Sequence, residues 1–419
     1  MTMVSLEIPY DPGCRSLMIE AHHLGADVSP KEVGSSRQSD HLNQAVRQAE
    51  PHLVSLFSGP EPALVVINDA TRPTPTAEVL TALRRAFPLA GFDLLVAAGT
   101  HRPPTEEEYL KLLGPLYPVL RDRVQAHQSR DEATMVRIGQ TSAGTPVSIN
   151  RRFIDARRVL IIGSVAPHYF AGFTGGFKGI VPGLASSETI LRNHWLAMSV
   201  EAAPTRLTGN PVYADIIEAV ALVPSKDEML GLMTVLDGGN RVAAAFCSDV
   251  ATAFDQAVTV AREIYVVPVG RPADIVISVA RDPLHKTFYQ SQKPLEHGKM
   301  AVKADGIVIL VMPCPDGVGP ESFKQMINDA AQYTVKELKE LKAGRYQLGF
   351  HRIIRNELFL ERGRIFAVTD LDPKWLKKMS IQPMPSVQAA VDQAISLMGP
   401  AAKTHVLRNG SLTVPLITE

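Results

Sequence analysis

Five short, nearly uninterrupted apolar runs do most to restrict the fold. They are Ala63-Leu64-Val65-Val66-Ile67, Leu94-Leu95-Val96-Ala97, Val159-Leu160-Ile161-Ile162, Asp274-Ile275-Val276-Ile277-Ser278-Val279 and Gly306-Ile307-Val308-Ile309-Leu310-Val311. Most are rich in β-branched residues, and none shows the strict alternation of a half-exposed strand. Continuous apolar strands of this length belong to parallel sheets covered on both faces. Amphipathic helical patterns lie between them. Thr76–Phe87 and Thr105–Leu113 follow the first two runs, and Gln256–Glu263 precedes Tyr265-Val266-Val267. Pro320–Ala331 follows the last run. Strand and helix in alternation predict an α/β fold with right-handed crossovers.

A chain of 419 residues is expected to form two domains. The boundary is placed in Pro268-Val269-Gly270-Arg271-Pro272, where two prolines and a glycine interrupt the pattern. This gives an N-terminal α/β domain over 1–268 and a C-terminal α/β domain over 269–419. Ser411-Leu412-Thr413-Val414 is one more strand-like piece and a candidate to return to the first domain. With 43 Lys+Arg against 43 Asp+Glu, nothing in the overall charge favours a nucleic-acid partner. No apolar run approaches the ~20 residues that span a bilayer, and the first ten residues lack the pattern of a secretory signal. Cys14, Cys247 and Cys314 are widely separated, as expected of reduced thiols in a cytoplasmic protein.

In open α/β sheets, ligands bind beyond the carboxyl ends of the strands. Three such positions carry titratable residues. Asn68-Asp69-Ala70-Thr71-Arg72-Pro73-Thr74-Pro75 follows the first strand, and Ala98-Gly99-Thr100-His101-Arg102-Pro103-Pro104-Thr105 follows the second. The third strand leads into residues 163–178, which hold His168 and a glycine-rich turn ending at Lys178. Helices starting near Thr76 and Thr105 are expected to present free N–H groups to an anion. Asp69 reads equally well as a helix cap with Arg72 as its surface partner. Three converging loops favour a site. There is no GxGxxG, no GxxxxGK[ST] and no pair of histidines three or four residues apart, so nucleotide loops and HExxH zinc helices are unsupported. His101, His168 and His194 all fall in or near the loops. Two positioned imidazoles suit a racemase, which needs an acid/base group on each substrate face. Lys178 is read either as an anion contact or as a nucleophilic amine. Tyr289-Gln290-Ser291-Gln292-Lys293 places a lysine beside amides, which suits a carboxylate and a hydroxyl; a solvated helix start is the competing reading.

The segments DATRPTP (69–75), GTHRPPT (99–105), PHYFAGFTGGFKGIVPG (167–183), His194 and YQSQK (289–293) closely resemble the lactate racemase family of nickel-pincer enzymes. Five motifs stand in family order, with Lys178 ten residues after His168 and His194 sixteen after Lys178. The resemblance implies a cofactor, nickel(II) pyridinium-3,5-bisthiocarboxylate mononucleotide, joined covalently to Lys178, with His194 as the nickel ligand. It implies cofactor contacts from Asp69, Ala70, Thr71 and Arg72, and acid/base roles for His101 and His168. Tyr289, Gln290 and Lys293 match substrate-binding positions, and Arg72 is a plausible further partner for the substrate carboxylate. The expected function is inversion of the C2 centre of lactate or a related 2-hydroxy acid by hydride transfer, in an interdomain cleft, after activation by cofactor-synthesis proteins. Two alternatives stand beside it. One is a cofactor-independent racemase in which the two histidines move protons. The other is a non-catalytic nickel or cofactor carrier.

Overall fold

A computed structural model describes residues 2–33, 38–87, 92–330 and 346–419, with the isolated positions 333 and 337. It divides the chain into two compact units, one of Lys31–Ile264 and one of Met1–Pro30 with Tyr265–Glu419.

The Lys31–Ile264 unit is built on a six-stranded sheet. Its spatial order is Val242–Asp249, Glu228–Leu236, Arg158–Ser164, Ala63–Asn68, Phe92–Ala97 and Val124–Ala126. All neighbours run parallel except the outermost pair, Val242–Asp249 against Glu228–Leu236. The first three apolar runs are its central strands. Val65, Ile67, Leu94, Val96, Leu160 and Leu232 are fully buried, packed with Leu53, Leu56, Val79, Leu80 and Leu83 from the helices. From Ala63–Asn68 the chain steps outward through Phe92–Ala97 to Val124–Ala126. It then returns to place Arg158–Ser164 on the other side of the first strand. The direction of winding therefore reverses between Ala63–Asn68 and Arg158–Ser164, and such a reversal opens a crevice at the carboxyl ends of the two strands.

The second unit carries an all-parallel sheet in the order Gln382–Met384, Arg364–Val368, Val302–Val311, Ala273–Val279, Thr404–Leu407 and Leu24–Val28. An antiparallel hairpin, Met3–Tyr10 with Gly13–Glu20, lays Leu6, Ile8, Leu17 and Ile19 into the same core as Ile275, Ile277, Ile307 and Ile309. Two expectations change. The first 30 residues do not join a domain running to 268; they supply an edge strand and a hairpin to the C-terminal sheet. The last strand, Val414–Ile417, pairs with Val266–Gly270 inside this second unit rather than returning to the first. The proline–glycine boundary segment is itself largely strand, and the division falls between Ile264 and Tyr265, where the Val250–Tyr265 helix ends. The helix expected over Pro320–Ala331 spans Glu321–Ala330; Ala331 lies outside the described residues.

This arrangement predicts an uneven response to shortening. Without residues 2–30 the C-terminal sheet loses its Leu24–Val28 edge and the apolar cover of the hairpin. Limited proteolysis with mass mapping should then show cuts concentrated in 265–419, with 31–264 surviving intact. Cuts spread equally through 31–264 would place the first 30 residues with the N-terminal domain after all.

Candidate active site

The Asp69 loop begins where Ala63–Asn68 leaves the sheet. The Asp69 carboxylate folds the loop on itself, since Oδ1 accepts from Thr71 N–H at 2.8 Å and from Thr71 Oγ1 at 2.5 Å. This is an Asx-type turn, which short acidic side chains form readily. Oδ2 lies 2.9 Å from His101 Nδ1. Burial pushes the Asp69 carboxyl up, but the His101 hydrogen bond, the Arg72 charge and the Thr71 hydroxyl outweigh it and hold the group at about 2. Ionised Asp69 can only accept, so His101 carries its proton on Nδ1 and, when neutral, keeps its lone pair on Nε2. Neither Asp69 nor Arg72 caps the Thr76–Ala86 helix, which has Pro75 at its N-cap without a side-chain cap bond. The helix start near Thr105 is not open to an anion as expected: Thr105 and Glu108 close it with a reciprocal capping box.

His168 sits in a tight hairpin in which Pro167–His168 pairs with Gly172–Phe173. Its Nδ1 accepts from Ala171 N–H at 3.3 Å. A neutral His168 therefore has its proton on Nε2, the reverse of His101. Both tautomers follow from the partner atoms.

The lysine loop is held by glycines. Gly176 has φ +55°, and a Cβ there would lie 2.7 Å from the Phe254 ring. At Gly183 a Cβ would come within 2.8 Å of Ala97 Cβ, while the Gly183 carbonyl accepts from Gly99 N–H at 3.0 Å. This close approach stitches the Lys178 loop to the loop that carries His101. Lys178 lies on a short 3-10 turn, Gly176–Gly179, and burial followed by the nearby Arg72 charge lowers its amine to about 7. Neither Lys178 nor Arg72 has an ion-pair partner among the described residues.

Phe170 links the remaining groups. His168 meets the edge of its ring at a centroid distance of 4.5 Å, His194 meets it at 5.0 Å, and Lys178 Nζ lies 5.7 Å from its centroid. Phe170 was not singled out from the sequence; only its position between His168 and Lys178 signalled it. His194 lies near the end of the Ser187–Trp195 helix. The preceding Asn193 donates to the buried Asp215 carboxylate at 2.9 Å and to Val212 O at 3.1 Å. Asp215 also accepts from Thr141 and Thr145. Sequence spacing gave no hint of this support beneath His194.

The structure thus connects Asp69, Thr71, Arg72, His101, His168, Lys178 and His194 within one unit. Ala70 shares the Asp69 loop and packs on the core. Tyr289, Gln290 and Lys293 lie in the other unit, in the first turns of the Phe288–Ala301 helix capped by Thr287. There the Arg352 guanidinium stacks 3.8 Å from the Tyr289 ring centroid, and Gln290 Oε1 is buried without a hydrogen-bond partner among the described residues.

A family model for the lactate racemase N-terminal domain matches residues 10–205, and one for the lactate racemase C-terminal domain matches 269–414. The chain belongs to the lactate racemase family. Lactate racemase of Lactiplantibacillus plantarum is 27% identical over 422 residues, covering 97% of this chain and 99% of that one. Lactate racemase of Thermoanaerobacterium thermosaccharolyticum is 28% identical over 426 residues, covering 97% and 98%. The lactate racemase apoprotein structure from the latter organism superposes with a TM-score of 0.89 at 26% identity, covering 99% of this chain and all of that one. A protein from Thermotoga maritima shares the fold, with a TM-score of 0.70 at 17% identity over 93% of this chain.

A desolvated amine beside a second cation should react as a nucleophile at neutral pH. With an amine-labelling reagent and peptide mapping, Lys178 should reach half-labelling near pH 7, while exposed lysines do so near their ordinary value of about 10.4. Arg72→Ala removes a like charge, so it should raise the Lys178 pKa and reduce labelling at pH 7. Half-labelling of wild-type Lys178 near pH 10 would contradict the environment described.

Proposed function

We propose that this enzyme inverts the C2 centre of lactate or a closely related 2-hydroxy acid, using the nickel-pincer nucleotide its family resemblance implies. The observation that carries the reading is the pair of histidines held in opposite tautomers around a site that also presents a nucleophilic lysine. The donor set fits the cofactor. Arg72 is a cation without an ion-pair partner among the described residues, which suits an anionic nucleotide, and the Lys178 amine beside it suits covalent attachment. The Trp195 indole N–H, one residue beyond His194, is buried and makes no hydrogen bond among the described residues, so a donor is left for a ligand. Lys178 would hold the group through its amine, His194 would bind its nickel, and the Asp69–Arg72 loop would contact it. When bound, the group supplies an acceptor for the C2 hydrogen with its electron pair.

The remaining steps belong to the protein. His101, with its lone pair on Nε2 and its Nδ1–H fixed by Asp69, takes the substrate hydroxyl proton. His168, once charged as the imidazolium, returns a proton to the oxygen after the face has changed and is left a neutral ring. Passage in the other direction exchanges their roles. Asp69 stabilises the imidazolium that forms on His101, as a buried carboxylate does for a general base. Arg72 would pair with the substrate carboxylate, and the family resemblance assigns Tyr289, Gln290 and Lys293 to substrate binding. The reading includes activation by cofactor-synthesis proteins and a cytoplasmic location. The free thiols Cys14, Cys247 and Cys314 agree with that location, and no helix among the described residues is long and apolar enough to cross a membrane.

Chiral chromatography of a 2-hydroxy acid panel tests the activity. His101→Asn and His168→Asn should each lower turnover by ~10²–10⁴ in both directions, the usual scale for a lost acid/base group. Near-wild-type turnover in either would remove that histidine from the chemistry.

The route taken by the C2 hydrogen is checked in D₂O. Imidazole N–H exchanges with solvent, so a two-base racemase would build deuterium into the inverted product. A hydrogen that leaves with its electron pair and stays away from water returns unlabelled. Mass spectrometry should find little deuterium at C2. Near-complete deuteration would support the cofactor-independent mechanism instead.

A further inference from the structure

A second set of metal-ligating side chains lies in the other unit, at the turn between the Gly13–Glu20 and Leu24–Val28 strands. Glu20, His22 and His23 each offer a ligand atom, and these atoms all lie within 4.8 Å of one another. We propose that this turn is a divalent-cation site of the zinc class, separate from the site around Lys178, with Glu20, His22 and His23 as its protein ligands.

The argument begins with the backbone. Glu20 to His23 form a β-turn closed by His23 N–H donating to Glu20 O at 2.9 Å. The turn is tied to the neighbouring strand by Thr404 N–H donating to His23 O at 2.7 Å. The three ligands are thus placed by a short, doubly anchored segment, and a cation would order little beyond their side chains.

The imidazoles are oriented as metal ligands usually are. His22 Nε2 lies 3.2 Å from Pro400 O, and His23 Nδ1 lies 2.8 Å from Ala402 O. A carbonyl only accepts, so His23 donates from Nδ1 and keeps a lone pair on Nε2, while His22 stands between two acceptors, Pro400 O and Glu20 Oε2, and a cation at Nδ1 would leave its proton on Nε2 for the carbonyl. A ligating histidine characteristically donates its second ring N–H to a carbonyl or carboxylate, which fixes both tautomer and ring direction. With the cation bound, both histidines would show that pattern on carbonyls two residues apart. His22 Nδ1 lies 3.1 Å from Glu20 Oε2. Two ligand atoms each about 2.0–2.2 Å from one ion are about 3.0–3.6 Å apart, so this pair fits as it stands. The ligand atom of His23 lies within 4.8 Å of both, so a side-chain adjustment would bring it to the same ion.

The chemistry selects the ion. Two neutral imidazoles and one carboxylate match zinc and its neighbours rather than calcium or magnesium, which prefer all-oxygen sets. His22 is exposed and Glu20 half-exposed, which leaves a coordination position for water. His23 is only 6% exposed and closes the inner side. The Lys403 ammonium, the near competing cation, is engaged with the His22 carbonyl. The alternative is a plain ion pair between protonated His22 and Glu20. It accounts for the His22–Glu20 distance, while His23 would then serve only to tie the turn to Ala402 and pack on the His22 ring.

A bound ion would tie the β-turn to the Pro400–Ala402 segment through the two rings. The edge strand Leu24–Val28 would then be held more firmly on Thr404–Leu407, whose pairing it extends. The site therefore acts on the stability of this sheet, not on turnover.

The test uses the untagged full-length chain made without cofactor, stripped with a chelator, loaded with Zn²⁺ and desalted. Elemental analysis should show one zinc equivalent fewer in His22→Gln than in wild type. Glu20→Gln, at a half-exposed position that should fold normally, should bind zinc at least ~10-fold more weakly at this site. His194→Ala should retain the equivalent, which separates it from any ion held around Lys178. Zn²⁺ should raise the wild-type melting temperature and leave that of His22→Gln unchanged. Equal zinc content and equal thermal shifts in wild type and both turn variants, or no zinc retained by wild type, would overturn the assignment.

Discussion

The candidate site is organised around one lysine amine kept out of water next to a second positive charge. Lys178 reaches its position because glycines let the chain fold where a side chain could not, against Phe254 on one side and Ala97 on the other. The Arg72 charge reaches Lys178 because the strands preceding the two loops, Ala63–Asn68 and Arg158–Ser164, are neighbours at the point where the sheet reverses its winding. A doubly wound sheet supplies a crevice at that point in any protein that adopts it. What is particular here is that both loops bring a cation to it, with Phe170 as a common surface for Lys178, His168 and His194.

The two histidines show how backbone context assigns chemical roles to identical side chains. His101 faces an ionised carboxylate and must donate from Nδ1. His168 faces a peptide N–H and must accept at Nδ1. At rest the two neutral rings keep their lone pairs on different nitrogens, Nε2 in His101 and Nδ1 in His168, without any difference in residue type. A racemase must be able to reverse these roles. His101 is half-buried and backed by the Asp69 carboxylate, whereas His168 is buried against the rings of Tyr169 and Phe170.

The central strands were legible because burial on both faces leaves an uninterrupted apolar run, and Val65, Leu94, Leu160 and Ile277 required no partner information to be recognised. The loops were legible for the same reason, as whatever follows such a run lies at the sheet edge. Two features were not legible. The N-terminal hairpin has the right alternation, with Leu6, Ile8, Leu17 and Ile19 inward, but nothing local says that its sheet lies more than 240 residues further along the chain. Pairing of Leu24–Val28 with Thr404–Leu407 is a contact of that kind, and placing residues 1–30 with the first domain followed from reading neighbours in sequence as neighbours in space. Phe170 escaped because an aromatic residue in an apolar stretch reads as core whether it packs on leucines or on a lysine and two histidines.

The candidate site also weighs on the fold in opposite directions. Asp69 is held below the ordinary carboxylate range, so its contribution to stability is fully present above roughly pH 4 and is lost as pH falls toward about 2. Lys178 is the reverse. Its folded value of about 7 lies below that of a lysine in the unfolded chain, so between about pH 7 and 10 the unfolded state binds the extra proton. Stability therefore rises with pH across that window, and at neutral pH the folded chain carries a penalty for the lysine. That penalty is inseparable from reactivity, because the desolvation and like charge that make the amine costly to protonate also leave it nucleophilic. The cores of the sheet and the Asp69 turn offset it. A substitution that returned Lys178 to solvent would stabilise the fold and remove the nucleophile in the same step.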